Sequence, residues 1–162
     1  MHPNWVENLF LEHSRKFYLV ALGITGQREL AADAVHDAMV SLVRSRSTPD
    51  DPTAYAYRSV RNRAIRLSTG RDRFVVSIEE FLVDDAESEA PQPEEAAFLH
   101  EVCQGLEDLS PDQRETLVLH LFGGMTFREI AEIREISLNT ITSWYRRGIG
   151  ALRRGLVHDG KF

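Results

Sequence analysis

The polar residues with the most specific spacing lie in the last third of the chain, on one side of a segment that reads as a helix. This set is Asn139, Thr140, Thr142, Ser143, Arg146 and Arg147. Apolar residues recur at helical spacing on the other side, namely Ile141, Tyr145, Ile149 and Leu152. Short hydrogen-bonding groups followed by arginines suit contacts with the base edges and phosphates of duplex DNA. The pattern therefore predicts nucleic-acid recognition rather than catalysis.

The residues before this segment predict the helices that must hold it. A Ser-Pro pair opens residues 110–113, and Thr126 opens a Thr-x-x-Glu capping box, so each begins a short helix. The buried face of the second is expected to be Phe127, Ile130, Ala131 and Ile133. We expect residues 134–136 to form a tight turn and Ser137 to cap the third helix. Such a helix-turn-helix presents the start of its recognition helix to base edges, and Thr126 and Ser137 join the candidate DNA contacts. A three-helix bundle with a solvated polar face remains the alternative.

The charge distribution favours nucleic-acid binding although the total charge does not. The formal net charge is -6, but the segment from Phe74 to Gln113 holds twelve acidic residues and no Lys or Arg. The rest of the chain therefore carries all 19 basic residues against thirteen acidic ones, and seventeen of the basic residues are arginines. Arginine is the side chain that binds phosphate and guanine in bidentate geometry. Two basic ends are thus joined by an acidic middle.

Composition excludes several other classes of protein. A single cysteine, Cys103, cannot build a disulfide scaffold or a cysteine-based zinc site within one chain. No apolar run approaches the ~18 residues of a membrane span, and the N-terminus lacks the pattern of a secretory signal. We therefore expect a cytoplasmic protein that is not an enzyme, with no catalytic residues, no metal site and no cofactor.

The acidic middle also marks a domain boundary. Residues 83–95, VDDAESEAPQPEE, are rich in acids, serine and proline and poor in large apolar groups, which predicts a flexible linker. The sequence thus predicts an all-α protein of two small helical domains, residues 1–73 and 94–162, joined by an acidic flexible linker at 74–93.

The first domain is predicted to contain three helices. They cover residues 4–22, 28–44 and 52–67, and Gly23 and Gly26 bracket the first break. The polar face of the second helix includes Asp33, His36 and Asp37. The third helix places Arg58, Arg61, Asn62 and Arg66 away from its apolar side. Tyr55 and Tyr57 are candidates for stacking on bases, although their spacing beside Ala56 and Val60 favours a partly buried position.

Three motifs together resemble a known family. They are ELAADAVHDAMVSLVR (29–44), AYAYRSVRNRAI (54–65) and the segment from Leu109 to Arg153. In this order they resemble the polymerase-docking helix, the promoter-melting helix and the minus-thirty-five reader of bacterial sigma factors. Two such domains with only a short linker between them are similar to the extracytoplasmic-function (ECF) class. The resemblance implies a factor that directs core RNA polymerase to specific promoters and initiates transcription.

The resemblance also implies a role for individual residues. Binding of core RNA polymerase falls to Asp33, His36 and Asp37. Capture and melting of the minus-ten element fall to Arg46 in the loop before the third helix and to Arg58, Arg61, Asn62 and Arg66. Reading of the minus-thirty-five element falls to Thr126, Ser137, Asn139, Thr140, Thr142, Ser143, Arg146 and Arg147. The implied partners are core RNA polymerase, promoter DNA and an anti-sigma factor.

Some positions depart from the family pattern. Arg66 stands where the family often has Asp, and Trp144 where it often has Arg, so that one phosphate contact is either missing or made by the indole N–H. Gly148 and Gly150 lie inside the recognition helix, where each costs ~1 kcal/mol relative to Ala. Two other functions therefore stay open: a helix-turn-helix regulator that acts without polymerase, and a polymerase-docking adaptor that has lost promoter recognition.

Overall fold

The computed structural model describes residues 4–68 and 93–158, and these residues form helices joined by short connections. The helices are α1 (Asn4–Thr25), α2 (Arg28–Val43), α3 (Pro52–Ser68), α4 (Pro93–Asp108), α5 (Pro111–Leu121), α6 (Phe127–Arg134) and α7 (Leu138–His158). The described part contains no strand, which confirms the all-α class. The predicted linker at 74–93 lies outside the described residues except for Pro93.

Helices α1, α2 and α3 pack against one another around a common apolar core. Phe17, Val20, Leu42 and Val60 are among its fully buried side chains, and they come from all three helices. The polar loop between α2 and α3 ends at Asp51, whose carboxylate accepts a hydrogen bond from the backbone N–H of Ala54 at 3.1 Å. These helices agree with the three predicted from the sequence.

The break after α1 differs from the prediction. Gly23 was expected to begin it, but α1 continues through Gly23 to Thr25, and only Gly26 takes a left-handed conformation, with φ of 68°. Gly23 is buried, and a Cβ atom added there would lie 2.5 Å from both γ-carbons of Val118 in α5. Gly23 therefore allows two helices to approach closely and does not end a helix.

The two tyrosines of α3 have different environments. Tyr57 is buried beside Phe17, with 4.7 Å between their ring centres, and its hydroxyl lies 3.3 Å from His13 Nδ1. Burial, followed by the charge of Glu129, raises the pKa of Tyr57 to about 12. Tyr55 is 44% exposed. The expectation of burial is therefore correct for Tyr57 and wrong for Tyr55.

The predicted helix starts in the second half are confirmed. The Ser110 hydroxyl accepts a hydrogen bond from the amide three residues later at 3.3 Å. The capping box is complete, since the Thr126 hydroxyl and the Glu129 carboxylate accept from each other's backbone N–H at 3.1 and 3.0 Å. Ser137 caps α7 through the N–H of Thr140 at 3.3 Å. Local sequence signals thus determine where these helices begin.

The turn of the helix-turn-helix begins one residue later than predicted. Arg134, expected in the turn, is the last residue of α6 and is buried. Glu135 follows with φ of 56° and ψ of 45°, in the left-handed region, and Ile136 N–H then donates to the carbonyl of Ala131 at 3.0 Å. This closing bond satisfies a carbonyl at the end of α6 and reverses the chain.

The two predicted domains pack directly on each other. Helix α1 contacts α5 and α3 contacts α6, and one cluster of buried side chains includes Val20 of α1, Val60 of α3, Val118 of α5 and Ile130 of α6. A second cluster joins α4, α5 and α7 through Leu106, Leu109, Leu117 and Leu152. The candidate DNA-contacting helices α3 and α7 are therefore parts of one packed arrangement.

Candidate nucleic-acid and polymerase interfaces

Helix α7 presents the predicted polar face at its N-terminal half. Asn139, Arg146 and Arg147 are exposed, as are Thr126 and Ser137 at the two caps. The other hydroxyl residues, Thr140, Thr142 and Ser143, are half-buried. Thr142 donates to the Leu138 carbonyl at 2.8 Å, and the hydroxyls of Ser137 and Thr140 lie 2.8 Å apart. The structure thus leaves an amide and two guanidinium groups exposed on α7 and engages part of the hydroxyl set in local bonds.

An aromatic cluster fixes the opposite face of α7. The ring of Tyr145 lies 4.8 Å from Phe127 of α6 and 5.0 Å from His120 of α5. His120 Nδ1 is 2.7 Å from the carbonyl oxygen of Met125, in the connection between α5 and α6. Ile141 beside this cluster is fully buried. The three helices are therefore held together by side chains that face away from the polar surface.

Trp144 has a structural position that explains its departure from the family pattern. Its half-buried ring lies 4.7 Å from the guanidinium carbon of Arg134. The guanidinium of Arg134 also donates to the Thr116 hydroxyl at 2.9 Å and to the Asp112 carboxylate at 2.8 Å, and it lies 3.1 Å from Glu115. The indole thus covers a buried cation that joins α5 and α6.

Gly148, the other departure, also has a packing role. A Cβ atom at this position would lie 2.5 Å from Cδ1 of Leu117, which is fully buried in α5. Gly148 is itself buried, so α7 approaches α5 most closely at this point. The absence of a side chain is what allows this approach.

Helix α2 displays the predicted acidic face. Asp33, His36 and Asp37 are all exposed, whereas Ala34 and Ala38 on the opposite side are buried. An apolar groove between α1 and α2 borders this face. It is lined by Val6, Phe10, Tyr18, Val35, Met39 and Val43, with His36 at its margin. Phe10 in this groove is 44% exposed.

The candidate minus-ten residues divide into two groups. Arg46, Asn62 and Arg66 are exposed. Arg58 instead donates to the Glu132 carbonyl of α6 at 3.1 Å, and Arg61 forms an ion pair with Glu115 of α5. Sequence reasoning identified both arginines but missed their partners. No local signal could reveal these partners, since Arg61 and Glu115 lie 54 positions apart.

The described residues contain no group of three or more His, Cys, Asp or Glu that could hold a metal ion. In the same part of the chain, no helix has both the length and the apolar character needed to span a membrane.

Two family descriptions match the chain in the order that the motifs predict. "Sigma-70 region 2" matches residues 9–74, and "Sigma-70, region 4" matches residues 101–152. The first therefore covers α1 to α3, and the second contains the helix-turn-helix.

Curated relatives and a solved structure agree with these matches. The ECF RNA polymerase sigma factor SigE of Mycolicibacterium smegmatis is 25% identical over 159 residues, which cover 93% of this chain and 61% of SigE. The chain thus spans less than two thirds of that relative. The RNA polymerase sigma factor CarQ of Myxococcus xanthus is 26% identical over 151 residues, 91% of this chain and 86% of CarQ. The fold is similar to the sigma factor RpoE, solved with the anti-sigma factor NepR from Bartonella quintana, with a TM-score of 0.68, 21% identity and coverage of 93% and 95%.

A helical region 2 followed by a region 4 with a helix-turn-helix defines a two-region sigma-70 protein. The chain belongs to the sigma-70 family and, within it, to the extracytoplasmic-function class of RNA polymerase sigma factors. The resemblance seen in the sequence motifs is therefore confirmed.

Proposed function

We propose that this chain is a non-enzymatic specificity subunit that binds core RNA polymerase in the cytoplasm and directs it to specific promoters. The observation that carries the proposal is the presence of regions 2 and 4 in one chain, each with an exposed polar face. The functional units are residues 1–73 for polymerase docking and the minus-ten element and 94–162 for the minus-thirty-five element, with 74–93 as the acidic linker.

The polymerase-binding surface proposed here is the exposed face of α2. Asp33 and Asp37 supply carboxylates for cationic side chains of the polymerase, and His36 lies between them and the apolar groove. Charged side chains guide the encounter, and the apolar surface beside them contributes burial once the proteins meet. The groove between α1 and α2 extends the acidic face into one continuous docking surface.

The minus-thirty-five element is read by the first half of α7 in the major groove. Asn139 is exposed in the first turn of α7, where base edges are contacted, and Arg146 and Arg147 lie two turns further along. The caps at Thr126 and Ser137, together with Thr140, Thr142 and Ser143, complete the contact set beside the phosphates. The packing of Tyr145 on α5 and α6 supports this proposal because it fixes which face of α7 points outward.

The minus-ten element is captured and opened by α3 and the loop before it. Arg46, Asn62 and Arg66 are exposed and available for a single strand, while Arg58 and Arg61 reach DNA only after leaving their partners in α6 and α5. Cations along one helix suit a displaced strand, because each neutralises a phosphate.

No observation favours the two other functions. A regulator that acts without polymerase has no need of region 2, which matches residues 9–74. The argument for an adaptor rested on Trp144 and the two glycines, and the structure gives Trp144 and Gly148 packing roles. We further propose an anti-sigma factor as a partner, since the similar sigma factor RpoE was solved in complex with one.

Reconstitution with purified core polymerase tests the proposed function. The chain should bind core enzyme in a pull-down, and run-off transcription on a pool of genomic fragments should yield discrete transcripts that core enzyme alone does not produce. Binding without promoter-dependent transcripts would point to the adaptor. DNA binding without polymerase binding would point to the independent regulator.

A further inference from the structure

The contact between the two regions engages the arginines proposed to bind the minus-ten strand. Glu115 of α5 accepts hydrogen bonds from Arg61 through Nε and, at 3.5 Å, through a terminal nitrogen. Side-chain exposure is 20% for Arg61 and 10% for Glu115, so the pair is largely shielded from water. One turn earlier in α3, Arg58 donates to the Glu132 carbonyl at 3.1 Å. Neither guanidinium can keep these bonds and contact a phosphate with the same N–H groups.

Apolar packing brings these charged groups together. Gly23 of α1 lies against Val118 of α5, and the added Cβ distance of 2.5 Å shows that only glycine permits this approach. Val20 of α1 packs in the same buried cluster as Val118 and Leu119 of α5. The contact between regions thus combines a close helix approach with two arginine contacts on its rim.

The ion-pair geometry allows the contact to open without leaving a buried charge unpaired. If Arg61 withdraws, Glu115 retains Arg134 at 3.1 Å, and Arg134 retains Asp112 and Thr116. By contrast, the closed contact leaves Nε of Arg58 buried with no hydrogen-bond partner within the described residues. A buried donor without a partner destabilises the state that contains it. These two features favour a closed state that is readily reversible.

We propose that the free chain adopts a closed state in which region 4 occupies the DNA-binding arginines of region 2, and that this state must open before α3 contacts the minus-ten strand. Glu115 and the carbonyl of Glu132 take the place of phosphate oxygens in the closed state. The inference rests on the proposed role of Arg58 and Arg61 in DNA binding. Apparent affinity for single-stranded DNA then falls in proportion to the open fraction.

Opening the contact without altering an arginine tests this proposal in the full-length protein. The variant Gly23→Val places a branched side chain against Val118, whereas Gly155→Val adds the same side chain where no atom lies within 4 Å. Small-angle X-ray scattering should show a larger radius of gyration for Gly23→Val and no change for Gly155→Val. Fluorescence anisotropy with a mixed-sequence single-stranded oligonucleotide should show tighter binding for Gly23→Val only, by about three- to tenfold.

A second variant guards against loss of folding. If circular dichroism shows that Gly23→Val does not fold, Glu115→Gln replaces it, since Arg134 keeps its bonds to Asp112 and Thr116 in that variant. The same expansion and the same gain in affinity are expected. Unchanged scattering in the folded variant, or expansion without tighter DNA binding, would overturn the closed-state proposal.

The DNA-binding role of the arginines is checked separately. In assembled holoenzyme the polymerase presents the two regions, and Arg61→Ala should reduce strand opening. Normal opening by Arg61→Ala would refute the role of Arg61, while the scattering comparison would still report on closure.

Discussion

The guanidinium carbon of Arg134 lies 4.7 Å from the centre of the Trp144 ring, which places the last residue of α6 over a residue in the middle of α7. Arg134 also binds Asp112 and Thr116 of α5. One buried cation therefore connects all three helices of the DNA-reading unit. The angle at which α7 projects from the protein depends on this contact as well as on the turn.

Replacing Trp144 by Ala should lower the free energy of unfolding by roughly 2 kcal/mol, because it removes a half-buried ring and its interaction with Arg134. Urea unfolding measures the loss. Trp144→Phe keeps an aromatic face toward Arg134 and should lose less than half as much. An equal loss in both variants would show that the arginine contact contributes nothing.

The two glycines in α7 provide a matched pair. Gly148→Ala should destabilise the protein although alanine favours helix, since its Cβ would meet Leu117 at 2.5 Å. Gly150→Ala meets only the end of the Arg154 side chain at 3.3 Å and should stabilise by ~0.5–1 kcal/mol. Thermal unfolding of both variants checks the opposite signs. Stabilisation by Gly148→Ala would mean that Leu117 repacks without cost.

Charge reversal at Asp33 and Asp37 should weaken binding to core polymerase by ~2 kcal/mol or more, about thirtyfold in affinity. The melting temperature should hardly change, because both side chains are exposed on α2. Glu12→Arg is the control, since Glu12 is a carboxylate of the same region with a side chain 75% exposed on α1. Normal holoenzyme assembly by the double mutant would place the docking surface elsewhere.

Arg146→Ala or Arg147→Ala should weaken binding to duplex that carries the minus-thirty-five element, by ~1–3 kcal/mol if the arginine contacts a guanine. A phosphate contact would instead weaken binding to all sequences alike and reduce the salt dependence by about one charge. Titration of matched and mismatched duplexes at several salt concentrations distinguishes the two contacts.

Arg61→Ala or Asn62→Ala should impair strand opening in holoenzyme while binding to closed duplex is retained. Permanganate reactivity of unpaired thymines reports the opening. A premelted template should rescue transcription for these two variants and not for Arg146→Ala or Arg147→Ala. Rescue of both pairs, or of neither, would contradict the proposed division of labour between α3 and α7.

The elements that the sequence predicted well are those determined by neighbouring residues. The caps at Ser110, Thr126 and Ser137 and the acidic face of α2 follow from local spacing, and the structure agrees with all of them. Gly23 was misread because the reason for a glycine there is Val118, which belongs to another helix.

Contacts between distant parts of the chain were not predictable. Arg134 was assigned to a turn because its buried partners, Asp112 and Thr116, lie 22 and 18 positions away. The ion pair between Arg61 and Glu115 depends on how the two regions pack, and no spacing rule encodes that packing. One sequence therefore predicts the DNA-contacting helices and leaves their mutual contact to the structure.

A single carboxylate, Glu115, lies between the arginine that supports the minus-thirty-five reader and the arginine of the minus-ten helix. Any force that draws Arg61 away leaves Glu115 to Arg134 alone, and any shift of Arg134 changes the hold on Arg61. The two promoter elements are thus energetically coupled through the protein, and thermodynamic reciprocity requires each to alter the affinity for the other by the same factor. Promoters with a strong match at one element could then tolerate a weaker match at the other.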